Sequence, residues 1–182
     1  MQDLRLLHIQ GPLATSFALK GFDRVNFEKN IGSILKSKIT LISSGFRSDL
    51  FYENQQDQSE LILKMWCKLK KQPFSKELLN RFSMRYKRDS VLEHYFYRLL
   101  LFTSNRIGFS GYCEHFNELL KSQPKSEILR AIRACNLNII RKMKGHKETV
   151  TQLTRLGDNF YKADPNQSGA ISIDTLSGFN PN

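Results

Sequence analysis

Cysteine is scarce in this chain and poorly placed for chemistry. Only Cys67, Cys113 and Cys135 are present, far apart, with no CxxC pair and no matching histidine spacing. That pattern leaves no zinc finger or ribbon, and the odd count argues against a disulfide framework and for a reducing compartment. Histidine is equally sparse: His8, His94, His115 and His146 share no metal-ligand spacing, so no metal is expected. Long apolar runs are missing too. The longest, Leu99 to Phe102, is far short of the ~20 residues that cross a bilayer, so no membrane-spanning helix is expected. Met1 to Arg5 shows no secretory h-region or cleavage site, and the expected location is intracellular, in the mitochondrial matrix or cytoplasm. One calcium-like spacing also falls short. Asp164, Asn166, Ser168 and Gly169 fit the start of an EF-hand loop, but Thr175 stands where the bidentate glutamate belongs.

What the chain does have is apolar mass and positive charge. Its 182 residues are 40% hydrophobic and 11% aromatic, with 13 Phe, enough for a buried core and too much for global disorder. Formal net charge is +11. The excess is uneven: residues 57–163 carry 21 Lys and Arg against 10 Asp and Glu, residues 1–56 carry 7 against 5, and residues 164–182 have no Lys or Arg. A basic centre of this kind points to a polyanionic partner, nucleic acid foremost. A membrane surface or a merely solubilising charge are the competing readings.

The pattern of apolar residues predicts a mixed α/β chain. Leu4 to Ile9 reads as a strand stopped by Gly11-Pro12, Asn26 as an N-cap before the helical spacing of Phe27, Ile31, Ile34 and Leu35, and Lys38 to Ile42 as a buried strand ending at Ser43-Ser44-Gly45. Leu61, Ile62, Met65, Trp66 and Leu69 form an apolar helix face, and Leu78, Leu79 and Phe82 start a shorter helix after Pro73. Ser90 to Glu93 fits a capping box before the amphipathic run Leu92, Tyr95, Phe96 and Leu99. Asn105 to Gly111 should be a loop, interrupted by two glycines, and Ser126 should open a helix containing Ile128, Leu129 and Ile132. Leu137 to Met143 is β-compatible, and Phe160-Tyr161 could end a last strand. The expected organisation is a first α/β unit at 1–56, a basic helical insertion at 57–125, a return to the α/β core at 126–163, and a mobile or partner-ordered tail at 164–182. No internal repeat or sustained heptad is present.

Two of these places resemble Dam-like adenine-N6 DNA methyltransferases. Asn105-Arg106-Ile107-Gly108-Phe109-Ser110-Gly111 is similar to the family's DNA-recognition loop, and Gly157-Asp158-Asn159-Phe160-Tyr161 with Asp164-Pro165 is similar to its fourth motif. The resemblance, spread thinly over about residues 20 to 180, implies an incomplete Rossmann-like methyltransferase sheet carrying a basic helical insertion. The family's cofactor residues look altered. Its glycine-rich turn for S-adenosylmethionine is Ser43-Ser44-Gly45 here, leaving Gly45 as a remnant. Its ribose acid falls at Gln56, with Asp57 one residue away, and the neutral amide lacks the charge-assisted hydrogen bonds a carboxylate gives a diol. Asp164 and Pro165 keep possible acceptors for a base amino group, but Gln167 replaces the stacking tyrosine.

The expected function is therefore non-catalytic nucleic-acid binding, without a cofactor and with RNA favoured over DNA. An RNA-binding subunit of a ribonucleoprotein such as an organellar ribosome, among protein partners, would fit. The expected contacts are Lys64, Lys68, Lys70, Lys71, Arg85, Lys87 and Arg88 in the centre, Arg106 with Phe109 and Tyr112 stacking on bases, and Arg141, Lys142, Lys144 and Lys147 around Gly145. Against this, the 105–113 segment reads equally as a helix-ending turn, and charge runs often form solvated faces. Two other functions compete: a divergent S-adenosylmethionine-dependent methyltransferase completed by a partner chain, and a basic protein–protein adaptor.

Overall fold

Strands β1 (Leu4–Gln10) and β3 (Arg47–Glu53) pair antiparallel at the centre of a four-stranded open sheet, with β2 (Ile39–Ser43) outside β3 and β4 (Ser83–Tyr86) outside β1. The computed structural model describes residues 3–103 and 105–142, the side chains of Arg106 and 135–142 excepted. Seven helices accompany the sheet among these residues: α1 (Pro12–Phe17), α2 (Gly21–Leu35), α3 (Ser59–Lys70), α4 (Lys76–Asn80), α5 (Arg88–Phe102), α6 (Arg106–Ser122) and α7 (Glu127–Lys142). The chain is a mixed α/β protein in two compact units, Met1–Val91 and Leu92–Asn182, with the boundary inside α5.

Alternation along the first unit's strands sorts their side chains. Leu7 and Ile9 of β1, Leu41 of β2, and Leu50 and Tyr52 of β3 join Phe17, Phe27, Ile31, Ile62, Leu63, Trp66 and Phe82 in one apolar cluster. Trp66 anchors it, its Nε1 donating to the Phe17 carbonyl at 3.0 Å and its ring meeting Phe17 edge-on at 5.8 Å. Gly11, at φ 92°, turns the chain from β1 into α1, where Pro12 occupies the first turn. Glu28 of α2 holds the outer strand: its Oε1 accepts from the Leu41 amide at 2.7 Å while Oε2 pairs with Arg24. That amide of an edge strand is therefore capped rather than left for another chain.

The other face of the sheet combines apolar and ionic side chains. Leu4, Leu6, Ile42 and Phe51 lie there, none more than 1% exposed, with His8, Arg47 and Asp49 buried beside them. His8 and Asp49 are register partners across β1 and β3, with Nδ1 and Oδ1 2.7 Å apart. Arg47, two residues from Asp49 on the same face, donates to both carboxylate oxygens at 2.6 and 3.2 Å. Burial alone would raise the Asp49 carboxyl, but Arg47 and His8 outweigh it and hold the group well below the usual carboxylate range.

In the second unit, Tyr95, Phe96, Leu99 and Phe102 of α5 are buried, as are Phe109, Tyr112, Phe116 and Leu119 of α6 and Ile128, Leu129 and Ile132 of α7. Phe102 meets Phe109 and Tyr112 edge-on at 6.3 and 6.1 Å, and the Tyr112 hydroxyl donates to that of Tyr95 at 3.0 Å.

Several expectations need correcting. The antiparallel sheet differs from the parallel one a Rossmann-like scaffold requires. After Ser43 the chain makes a short turn, with the Ser44 amide bound to the Arg47 carbonyl at 2.7 Å, and returns antiparallel as β3. Helix α2 starts at Gly21, so Asn26 is interior and Lys20 is the N-cap; α5 starts at Arg88, after Lys87 takes φ 67°, so Ser90 lies inside the first turn. The buried face of α3 is Ile62, Leu63, Trp66 and Cys67, leaving Leu61 and Leu69 exposed. Residues 137–142 continue α7, and Phe82 follows α4 instead of lying in it. The unit boundary divides the segment expected as one insertion at 57–125. The expected tail at 164–182 and the strand ending at Phe160-Tyr161 lie outside the described residues.

Two stability outcomes follow. Asp49→Asn removes the anion that Arg47 and His8 face and should cost about 3–5 kcal/mol by urea unfolding at pH 7. Because the folded carboxyl titrates low, its contribution is complete above its unfolded value near 4 and fades as pH falls from there toward the folded value. The variant should accordingly lose less stability than the parent when unfolding is repeated across that acid range. Leu99→Ala, at a position with no exposure, should cost about 2–5 kcal/mol in the same assay.

Candidate nucleic-acid interface

Between Lys64 and Arg88 the chain carries nine basic residues and a single acid, Glu77. The local fold explains why most of that charge faces out. In α3 the inward stations are filled by Ile62, Leu63, Trp66 and Cys67, so Lys64 and Lys68 fall on the exposed side. Lys71 ends the helix in the left-handed conformation, φ 52°, with its amide bound to the Lys68 carbonyl and that of Gln72 to Cys67. Ser75 caps α4 by accepting from the Leu78 amide at 3.1 Å, and leaves Lys76 and Arg81 exposed at its two ends. Strand β4 then pairs with β1, Arg5 opposite Tyr86 and Leu6 opposite Arg85, and exposes Arg85, with Lys87 exposed just after it.

The expected basic contacts differ in availability. Lys64 is ion-paired with Glu60 at 2.6 Å, and its ammonium lies 5.1 Å from the Phe74 ring centroid. Lys70 is turned inward, donating to the Ala18 carbonyl at 3.0 Å, and Arg88 is half-buried. Lys68, Lys71, Arg81, Arg85 and Lys87 are exposed and form no ion pair among the described residues.

One close grouping is not evident from the sequence. Tyr86, 60% exposed, has the Arg5 guanidinium 5.8 Å and the Lys87 ammonium 5.9 Å from its ring centroid. The alternation Met84-Arg85-Tyr86-Lys87 is the signal that was available, but a four-residue strand between two helices is too short to stand out.

The 105–113 segment turns out differently from the expected loop. Asn105 is an N-cap whose side chain accepts from the Gly108 amide at 3.0 Å, and α6 begins with Arg106. Gly108 is required for closeness: a Cβ there would lie 2.9 Å from the Phe102 ring and from the Asn105 side chain. Phe109 and Tyr112 are buried at 2% and 0% exposure, which removes both rings as surfaces for a base. Their helical spacing with Phe116 is the core signal that the glycines obscured. Arg141 and Lys142 are the last two residues of α7, while Lys144 and Lys147 lie outside the described residues.

The residues expected as cofactor-site remnants lie in a hairpin turn and at a helix start. Gly45 sits in the β2–β3 turn at an ordinary backbone angle, with nothing near the place of a Cβ. Asp57 secures the start of α3, accepting from the Ser59 amide at 2.9 Å, the Ser59 hydroxyl at 2.6 Å and the Tyr52 hydroxyl at 3.1 Å. Partial burial pushes its carboxyl up, but these hydrogen bonds prevail and hold it below the ordinary value. Asp164 and Pro165 lie outside the described residues. Among the described residues no group of three His, Cys, Asp or Glu side chains is disposed to hold a metal, and no helix is long and apolar enough to cross a membrane. Burial raises the Cys67 thiol, the reverse of what a nucleophile needs. No protein-family model, curated protein or solved structure matches the chain.

Gly108→Ala tests the reassignment of this segment. Alanine favours a helix by about 1 kcal/mol over glycine. Here the clash with Phe102 and Asn105 should prevail, for a net loss of about 1–2 kcal/mol in urea unfolding.

Proposed function

We propose that this protein binds nucleic acid without catalysis, chiefly by neutralising phosphates, with RNA preferred to DNA. The observation that carries this reading is the exposure of Lys68, Lys71, Arg81, Arg85 and Lys87 within one unit, with no acidic partner among the described residues. Basic side chains in an ordinary solvated face are usually interspersed with acids, as Lys64 is with Glu60. A place as an RNA-binding subunit of a ribonucleoprotein such as an organellar ribosome, in the mitochondrial matrix or cytoplasm and among protein partners, suits this charge.

Phosphate neutralisation of this kind needs no methyltransferase ancestry. The alternative, a divergent S-adenosylmethionine-dependent adenine-N6 methyltransferase completed by a partner, draws no support from Gly45 in a hairpin or from Asp57 at a helix start. A basic protein–protein adaptor is the other reading, and salt separates it from ours.

Fluorescence anisotropy with a labelled structured RNA, titrated between about 50 and 200 mM KCl, should show log K falling linearly with log salt, with a slope of roughly −0.9 per phosphate neutralised on a duplex region. Lys68→Glu with Lys71→Glu should weaken binding on every RNA tested and flatten the slope by roughly two. Salt-independent binding, or an unchanged slope, would remove this face from the interface.

A further inference from the structure

Tyr86 is an aromatic side chain that the fold leaves on the surface. It ends β4, which among the described residues forms one edge of the sheet and pairs only with β1. Its ring is 60% exposed, and Met84, on the same side of the strand, is 37% exposed. Three cations surround this end of the edge. Arg5 is the cross-strand partner of Tyr86, and it is fixed there: its Nε donates to the Asn54 carbonyl at 2.8 Å and a terminal nitrogen to that of Gln55 at 2.6 Å. Lys87 holds a left-handed backbone, φ 67°, immediately after the strand, and its ammonium lies 5.9 Å from the ring centroid. Arg85, on the opposite side of the strand, is exposed and, among the described residues, bonds only to its neighbour's carbonyl, at Met84. None of the three belongs to an ion pair among the described residues.

We infer that Tyr86 is the stacking seat for an unpaired base of single-stranded RNA, with Arg5, Arg85 and Lys87 taking the flanking phosphates. The inference rests on the nucleic-acid reading above and gives it a location. Cations alone would serve any polyanion, but the exposed ring selects one with a free aromatic face. A base inside a duplex has both faces covered by its neighbours and cannot use it; an unpaired base can. Anchoring of Arg5 by two backbone carbonyls means that little side-chain freedom is lost when a phosphate arrives. The open backbone of β4 would also accept a protein strand, and the experiment separates that occupant from RNA.

The test uses the full chain and two labelled probes, a 12-nucleotide single-stranded RNA of mixed sequence and the same RNA as a duplex. Tyr86→Phe keeps the ring and should bind the single strand within about twofold of the parent. Tyr86→Ala should raise its Kd roughly 5- to 100-fold and leave the duplex Kd within about twofold. Thermal unfolding should be little changed by either substitution, because the ring is exposed; if the alanine variant fails to fold, Tyr86→Leu is read in its place. Parent-like binding of the single strand by the ring-less variant overturns the inference while the nucleic-acid reading stands. Equal losses on single strand and duplex overturn it too, because they point to phosphate contacts alone. If the parent binds neither probe, both readings fall and the edge of β4 becomes a candidate seat for a protein strand.

Discussion

At the middle of the sheet a carboxylate is shut away from water, and the register of the two central strands depends on keeping it paired. Asp49 faces His8 across the β1–β3 ladder and Arg47 along its own strand. A slip of one residue would carry Asp49 to the other side, among Leu50, Tyr52 and Trp66, where nothing could meet its charge. The ionic group thus works as a specificity device. It adds little net stability over an apolar filling of the same volume, but it makes alternative pairings expensive. Glu28 does related work at the far edge, where one carboxylate oxygen holds Arg24 and the other the Leu41 amide.

The same residues explain why part of the fold was hidden in the sequence. Helical spacing exposed the buried sides of α2, α5 and the start of α7, because Phe27 and Ile31, Tyr95 and Leu99, and Ile128 and Ile132 recur on single faces. Strand β3 gave no such signal. Its opening Arg47-Ser48-Asp49 reads as a polar loop, although each of the three is buried without exposure. Hydropathy records the transfer cost of a lone ion and cannot register a partner supplied by a distant strand. Helix α6 was hidden for the opposite reason: Gly108 and Gly111 look like breakers, yet Gly108 serves close packing against Phe102.

Legibility of the candidate interface divides along similar lines. The density of Lys and Arg from 64 to 88 was plain, and so was its direction, since apolar side chains claim the inward positions of α3. Which cations are available was not. Lys70 has a partner that depends on the three-dimensional fold, the Ala18 carbonyl, whereas Lys64 pairs with Glu60 one helical turn away. The aromatic positions moved furthest: Phe109 and Tyr112 belong to the core, while Tyr86, among the basic side chains, is exposed.

Lys36, Lys71 and Lys87 all take left-handed backbone angles, at φ 49°, 52° and 67°, where glycine is the relaxed choice. Each long side chain there carries a conformational penalty of roughly 1 kcal/mol that glycine would avoid. Three junctions between secondary-structure elements are therefore held slightly uphill, all by the same kind of residue. These are places where the chain could become more robust to heat without any change to its core, and where each gain in robustness would remove one positive charge from the surface.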